Sequence, residues 1–290
     1  MAKGRELKGR IKSVEGTRKI TRTMEMVATS KLKRAQDRVV AARPYAGSLA
    51  QVIADLYTPE LAERFPLLRQ PSTEQTGGRA AVLLLTSNRG LAGAFNSNLI
   101  REARALIDRL ERSGTAVEVH VVGRKGIGFF RYAGRQLATM RTDIGDRPTA
   151  EHATELVQAL MQDFIARRLD AVYVVYAKFN SAISTPPVSE MVLPVTPPER
   201  KGPARDYILL PSAEAILSEL LPLYVRNAVY RALVETVAGE QGARRTAMKN
   251  ATDNAGDMLN ILRRTYNRAR QAQITQEIAE IVGGAEALKG

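Results

Sequence analysis

The last part of the chain carries one unbroken helical pattern that limits what the chain can fold into. Over 213–282 apolar residues recur at steps of three and four, and no proline follows Pro222. From Met248 the predicted apolar stripe comprises Met248, Ala251, Ala255, Met258, Leu262, Tyr266, Ala269, Ile274, Ile278 and Ile281. At about 1.5 Å per residue such a helix spans roughly 100 Å. A helix of this length needs a partner helix, because a small core cannot cover it.

The beginning of the chain supplies a second long helical pattern, over residues 3–43. Its predicted apolar side comprises Leu7, Ile11, Val14, Ile20, Met24, Val27, Leu32, Val39 and Ala42. Proline cannot donate an amide hydrogen bond, so Pro44 should kink or end the helix, and 48–56 could resume it. The two chain ends are therefore candidates for pairing with each other.

The middle of the chain has a different period. Short apolar runs at 80–86, 117–122 and 171–177 alternate with helical segments at 97–112 and 149–168. Two further strands could lie at 188–195 and 206–210. Strands that alternate with helices predict an open, mostly parallel α/β sheet of the Rossmann-like kind.

The order of these segments predicts the fold class and the domains. An α/β domain inserted between two long helices returns the chain, so the helices should pack as an antiparallel two-helix coiled coil. We expect the N-terminal helix at 1–57, a linker at 58–78, the α/β domain at 79–210 and the C-terminal helix at 211–290. The longer second helix should project past the first.

The net charge of +13 is concentrated at the chain ends. Residues 1–45 hold 13 Lys and Arg against 4 Asp and Glu, whereas 46–225 hold 20 against 19. A basic helix suggests an acidic partner: nucleic acid, a membrane surface or acidic protein loops. Nucleic acid remains an alternative, although residues 1–43 contain no aromatic side chain to stack on bases and match no common DNA-binding motif.

Composition argues against several kinds of active site. The chain has no cysteine, and its two histidines, His120 and His152, flank nothing that resembles a metal site. The loop at 87–96 lies where phosphate cradles occur, but it lacks the P-loop ending and the dinucleotide spacing. We therefore predict no catalytic, cofactor-binding or metal-binding residue, and we keep a nucleotide-binding enzyme as a third hypothesis. The start has no apolar core after its basic residues, which argues against a secretory signal.

Four stretches resemble one known family. They are KITRTMEMVATSK at 19–31, AMKNATDNA at 247–255, YNRARQAQITQEI at 266–278 and NRGLAG at 88–93. Together they resemble the gamma subunits of F-type ATP synthases, and the resemblance extends over essentially the whole chain.

The resemblance implies a rotor without catalytic activity of its own. In that family the coiled coil stands inside a ring of three alpha and three beta subunits, and catalysis occurs on the beta subunits. The α/β domain sits on the epsilon subunit and the membrane c-subunit ring. A bacterial member would lie at the cytoplasmic face of the plasma membrane as a peripheral subunit. The resemblance implies no cofactor and no nucleic acid.

The resemblance also implies which residues contact the ring. Met26 should face an acidic segment of a beta subunit, with Lys31 and Lys33 nearby. Polar contacts from the C-terminal helix are expected at Arg244, Gln271, Thr275, Glu277 and Glu280. The last turns should sit in an apolar collar through Ile278, Ile281 and Val282.

Overall fold

A computed structural model describes residues 2–69, 78–196, 209–210 and 212–287. The helices are α1 (Ala2–Leu56), α2 (Pro59–Arg64), α3 (Phe95–Arg112), α4 (Arg124–Tyr132), α5 (Ala150–Ile165) and α6 (Ala213–Ala287), with a 3-10 turn at Pro66–Leu68. The strands are β1 (Arg79–Leu85), β2 (Ala116–Val122), β3 (Thr139–Arg141), β4 (Ala171–Ala177) and β5 (Pro187–Leu193). Most of the strand predicted at 206–210 lies outside the described residues.

The chain divides into two compact units, and the division falls inside both long helices. One unit comprises 29–244, and the other comprises 1–28 with 245–290. The predicted linker at 58–78 contains α2 and the 3-10 turn, while 70–77 lies outside the described residues. The predicted domain boundaries at 57, 78 and 210 do not coincide with this division and stay predictions.

The sheet in the 29–244 unit has the strand order β3-β2-β1-β4-β5. The first four strands are parallel and β5 is antiparallel at one edge, which confirms the predicted, mostly parallel α/β sheet. Side chains alternate between its faces, as a strand requires. Val82 and Leu84 pack under α3 and α4, whereas Leu83 and Leu85 share a core with α5 and with α1 and α6 residues of the same unit.

Neither proline ends its helix. α1 continues through Pro44 to Leu56, so of the two expectations for Pro44, a kink or an end, the end was wrong, and α6 continues through Pro222. An interior proline costs about 3 kcal/mol, because one backbone hydrogen bond is lost. Burial on both sides of Pro44, at Val39, Leu49 and Ile53, offsets that cost.

The unit of 1–28 and 245–290, which we name the chain-end unit, has a seam between its two helices with a strict seven-residue repeat. On α6 the positions of this repeat are all buried or half-buried: Met248, Thr252, Ala255, Leu259, Leu262, Tyr266, Ala269 and Gln273. Ala247, Ala251 and Gly256 beside them are half-buried as well. On α1 they include Leu7, Ile11, Val14, Thr21 and Ala28. Alternating steps of three and four are the repeat of a left-handed coiled coil. Glu15 accepts a 2.6 Å contact from Arg263, and Thr21 meets Thr252, so the helices run antiparallel as expected.

Six residues assigned to the apolar stripes lie outside the seam. Ile20, Val27, Met258 and Ile274 are 62%, 50%, 52% and 46% exposed, and Thr21, Ala28, Leu259 and Gln273 occupy the seam instead. Ile278 and Ile281 are exposed as well. The assignment followed apolarity, but the repeat decides which positions face the partner helix. Threonine is tolerated in the seam because the Thr21 and Thr252 hydroxyl oxygens lie 2.8 Å apart and hydrogen-bond to each other.

This hydroxyl pair yields a first prediction. Thr21→Val or Thr252→Val should each lower the free energy of unfolding by about 1 kcal/mol, because each leaves the other buried hydroxyl without its cross-helix partner. The double variant should be close to the wild type, since two valines pack without unsatisfied groups. Urea unfolding of the wild type, the two single variants and the double variant gives the coupling energy between Thr21 and Thr252. Strictly additive costs would contradict the hydrogen bond across the seam.

Candidate partner-contact surfaces and the glycine loop

The predicted contact residues on α1 differ in their exposure and in their pairing within the chain. Met26, in the chain-end unit, is 59% exposed. In the other unit Lys33 is exposed and pairs with Asp37, one turn further along the helix, at 2.9 Å. Lys31 is half-buried, and its ammonium lies 2.5 Å from the Asp146 carboxylate. Met26 and Lys33 are thus available at the surface, whereas Lys31 is engaged within the chain.

Arg244 is buried inside the 29–244 unit. Its guanidinium lies 2.6 Å from the Glu240 carboxylate and donates to the Gly90 carbonyl at 3.2 Å. Burial raises the pKa of the Glu240 carboxyl, and the positive charge of Arg244 offsets this only in part. Arg244 therefore holds α6 against the loop at 87–96, which we name the glycine loop.

A second set of contacts converges on Asp146, in the loop between β3 and α5. Besides Lys31, Gln241 donates to the Asp146 carboxylate at 3.3 Å, and Arg38 donates to its backbone carbonyl at 2.9 Å. Asp146 thereby joins α1, α6 and the sheet. Sequence reasoning missed this residue, since no local pattern identifies an aspartate whose partner lies 115 positions away.

The backbone amides at the start of α4, beside the glycine loop, are bonded within the chain. The N–H groups of Arg124, Lys125 and Gly126 donate to Asn88 Oδ1, the Ser87 carbonyl and Thr86 Oγ1, at 3.0–3.2 Å. These amides are therefore not available to a phosphate at this helix N-terminus. The glycine loop itself leads into α3, so these bonds leave the nucleotide-binding hypothesis a hypothesis.

Close packing explains why glycine stands at 123. Gly123 has φ of +99°, and a Cβ there would lie 2.2 Å from the Thr86 carbonyl oxygen.

The adjacent cavity, of about 310 Å³, has among its lining residues two arginines and two carboxylates, which are Arg89, Arg124, Asp146 and Glu240. With its charges balanced, this cavity does not favour an anion.

Both histidines make contacts within the chain. His120 lies on β2 with Nδ1 2.8 Å from the Thr139 hydroxyl, and burial lowers its pKa. His152 completes a capping box with Thr149 at the start of α5. Within the described part of the chain, no three acidic or histidine side chains are grouped to hold a metal ion. Nor does any described helix combine the length and apolarity needed to cross a membrane.

The predicted contacts near the end of α6 are all exposed. Glu277 and Glu280 accept hydrogen bonds from Gln273 and Gln276 at 2.9 Å, within the same helix face. Thr275 donates to the Gln271 carbonyl at 3.0 Å. The apolar Ile278, Ile281 and Val282 are 56%, 71% and 55% exposed. Clustered exposed aliphatic side chains are typical of a surface that meets a partner.

The fold and these surfaces define a class: a two-helix coiled coil built from the chain ends, with an inserted α/β unit and no formed catalytic site among the described residues.

A family model described as ATP synthase matches residues 3–288. An ATP synthase gamma chain of Gemmatimonas aurantiaca is 66% identical over 293 residues, and one of Moorella thermoacetica is 46% identical over 289 residues; both alignments cover 100% of each chain. The chain therefore belongs to the ATP synthase gamma chain family.

A solved structure agrees in fold. The rotor of the Euglena gracilis mitochondrial ATP synthase matches with a TM-score of 0.64 and 19% identity, over 94% of this chain and 99% of that chain. The fold, with two long terminal helices and a mostly parallel sheet between them along the chain, thus also occurs in a known rotor.

Arg244 carries a second prediction. Arg244→Met should lower the free energy of unfolding of the isolated chain by about 3–5 kcal/mol at neutral pH, because it leaves the Glu240 carboxylate buried without its partner. The cost should shrink as pH falls through the raised pKa of Glu240, since the neutral acid needs no counter-charge. Urea unfolding at several pH values measures both.

The exposed Arg264, on the same helix, gives the matched control. Arg264→Met should change stability by no more than about 0.5 kcal/mol. An equally small effect of Arg244→Met would mean that Arg244 is free to serve a partner instead.

Proposed function

We propose that this chain is the non-catalytic central-stalk rotor subunit of a proton-translocating F-type ATP synthase. It couples rotation of the membrane c ring to conformational change, and hence to ATP synthesis or hydrolysis, at the beta subunits. The observation that carries this is the pairing, in this chain, of a 75-residue helix with a 55-residue helix from the other chain end. The 66% identity to an ATP synthase gamma chain supports it.

The partners follow from that assignment. Three alpha and three beta subunits surround the coiled coil, and the α/β unit binds the epsilon subunit and the c ring. The chain is held at the cytoplasmic face of a bacterial plasma membrane through these partners. Among the described helices none could span the membrane itself, which fits attachment through the complex. Nothing in the relatives supports the nucleic-acid alternative.

The coupling is an equilibrium argument. A shaft whose sides differ meets each beta subunit with different side chains at any one angle. It therefore favours a different conformation in each, and rotation redistributes those preferences. Met26, Lys33 and the exposed side chains of the last turns of α6 are the contacts that could do this directly. Lys31 and Arg244 would have to exchange their partners within the chain to take part.

Charge supports the same account. Residues 1–45 carry a net charge of +9, from 13 basic and 4 acidic side chains. Attraction to acidic loops of the ring would act within a Debye length of about 8–10 Å. It would guide the shaft without holding it at one angle, because exposed ion pairs contribute only about 0–1 kcal/mol each.

Co-assembly tests the proposed function. The purified chain is mixed with alpha and beta subunits from the same organism, and a stable complex with sustained ATPase activity is expected, while the chain alone is inactive. A chain that stays apart from the ring and instead binds DNA, with affinity falling steeply as salt rises, would overturn the proposal.

Met26 gives a sharper prediction. Met26→Lys should lower the number of protons pumped per ATP hydrolysed about twofold or more while assembly persists, because one new ion pair of about 1 kcal/mol shifts conformer populations several-fold. Proton pumping and ATP hydrolysis are measured together in membrane vesicles. Ile20→Lys is the control, since Ile20 is equally exposed but six residues, or about 240° of helix rotation, away. An unchanged ratio in Met26→Lys would refute the assignment.

A further inference from the structure

The outer layer of the α/β unit is strongly basic. α3 and α4 cover one face of the sheet and together carry seven basic and three acidic residues. All seven basic side chains are exposed: Arg101, Arg104, Arg109, Arg112, Arg124, Lys125 and Arg131. Two of the acids are engaged, since Glu102 accepts from Ser189 at 2.9 Å and Glu111 pairs with Arg135 at 2.7 Å.

An open groove of about 680 Å³ runs along this layer. We name it the α3–α4 groove; its lining residues are Asn96, Ser97, Ile100, Arg101, Arg104, Ala105, Asp108, Lys125 and Phe129. From Asn96 to Asp108 it follows α3 for 12 residue steps, or about 18 Å, which is roughly three helical turns.

The groove has an apolar floor and a rim that is cationic overall. Ile100 is buried and Phe129 half-buried, so they form the floor, and the Arg104 guanidinium lies 6.0 Å from the centre of the Phe129 ring. The exposed charges of the lining are Arg101, Arg104 and Lys125 against one acid, Asp108. Ala105, small and exposed in the lining, lets a partner backbone approach closely.

We propose that the α3–α4 groove binds an acidic amphipathic helix of about three turns from a partner protein. Its apolar stripe would cover Ile100 and Phe129, and its acidic flanks would meet Arg101, Arg104 and Lys125. The proposal rests on the proposed function only for the source of this helix, which is another subunit of the same complex.

The groove fits a helix better than the other acidic partners. A lipid surface is met by apolar side chains that protrude, whereas Ile100 and Phe129 lie at the bottom of a groove. Single-stranded nucleic acid stacks its bases on exposed rings, whereas Phe129 is half-buried and lies beside Arg104.

Photo-crosslinking in the assembled complex tests the proposal. The photoreactive residue p-benzoylphenylalanine replaces Ala105 in the full chain, and the active complex is purified before illumination. We expect a crosslink to one segment of another subunit, with acidic residues and with apolar residues at helical spacing. The same replacement at Arg112, exposed on α3 outside the groove, should not capture that segment.

Two pairs of variants then separate shape from charge. Ser97→Trp, which places a large side chain in the lining of the groove, should lower the crosslink yield about fivefold or more, while Ala133→Trp beyond the end of α4 should leave it unchanged. Arg101→Glu with Arg104→Glu should lower it similarly, while Arg109→Glu with Arg112→Glu, an equal charge change on the same helix, should not. An equal loss of crosslink yield in the two double charge reversals would indicate non-specific electrostatic attraction to the basic layer and would contradict binding in the α3–α4 groove.

The remaining outcomes are also decisive. A crosslink to lipid, a crosslink to a basic or extended segment, or no intermolecular crosslink at all would refute the docking proposal. Failure of the chain to assemble would show before illumination and would count against the proposed function instead.

Discussion

The seven-residue repeat that pairs α1 with α6 is the constraint on which the rest depends. It brings Thr21 against Thr252, positions 231 residues apart, and buries both hydroxyls in the seam. The chain between them must then return to its starting point, which an inserted α/β unit achieves. Past Gln273, the last half-buried seam position, Ile278 and Ile281 of α6 are exposed.

In the 29–244 unit, polar contacts hold the long helices to the loops of the sheet. Arg244 donates to Glu240 and to the Gly90 carbonyl, and Asp146 accepts from Lys31 and from Gln241. The Lys31–Asp146 pair is half-exposed. The buried Arg244–Glu240 pair adds little net stability, since desolvation offsets most of its attraction, but breaking it is costly. This suits a junction that must keep its geometry under load.

Periodicity predicted the long helices and the strands, because each depends on patterns within a few residues, and the order of these segments predicted the mostly parallel sheet and the antiparallel pairing. The seam was predicted less well, since Ile20 is more apolar than Thr21 and only the repeat favours the latter. The bonds of Arg244 join segments far apart in the sequence, so no local pattern could reveal them. The basic layer of α3 and α4 was also missed, because residues 46–225 hold 20 basic and 19 acidic side chains and their charges nearly cancel.

Rotation observed on single complexes would test the central claim most directly. The chain has no cysteine, so one introduced at Ala133, exposed beside α4, can carry a bead while the alpha and beta ring is fixed to a surface. Addition of ATP should then turn the bead in one direction, in steps, and rotation should stop when hydrolysis is inhibited. A complex that hydrolyses ATP at its full rate while the bead stays still would contradict the account.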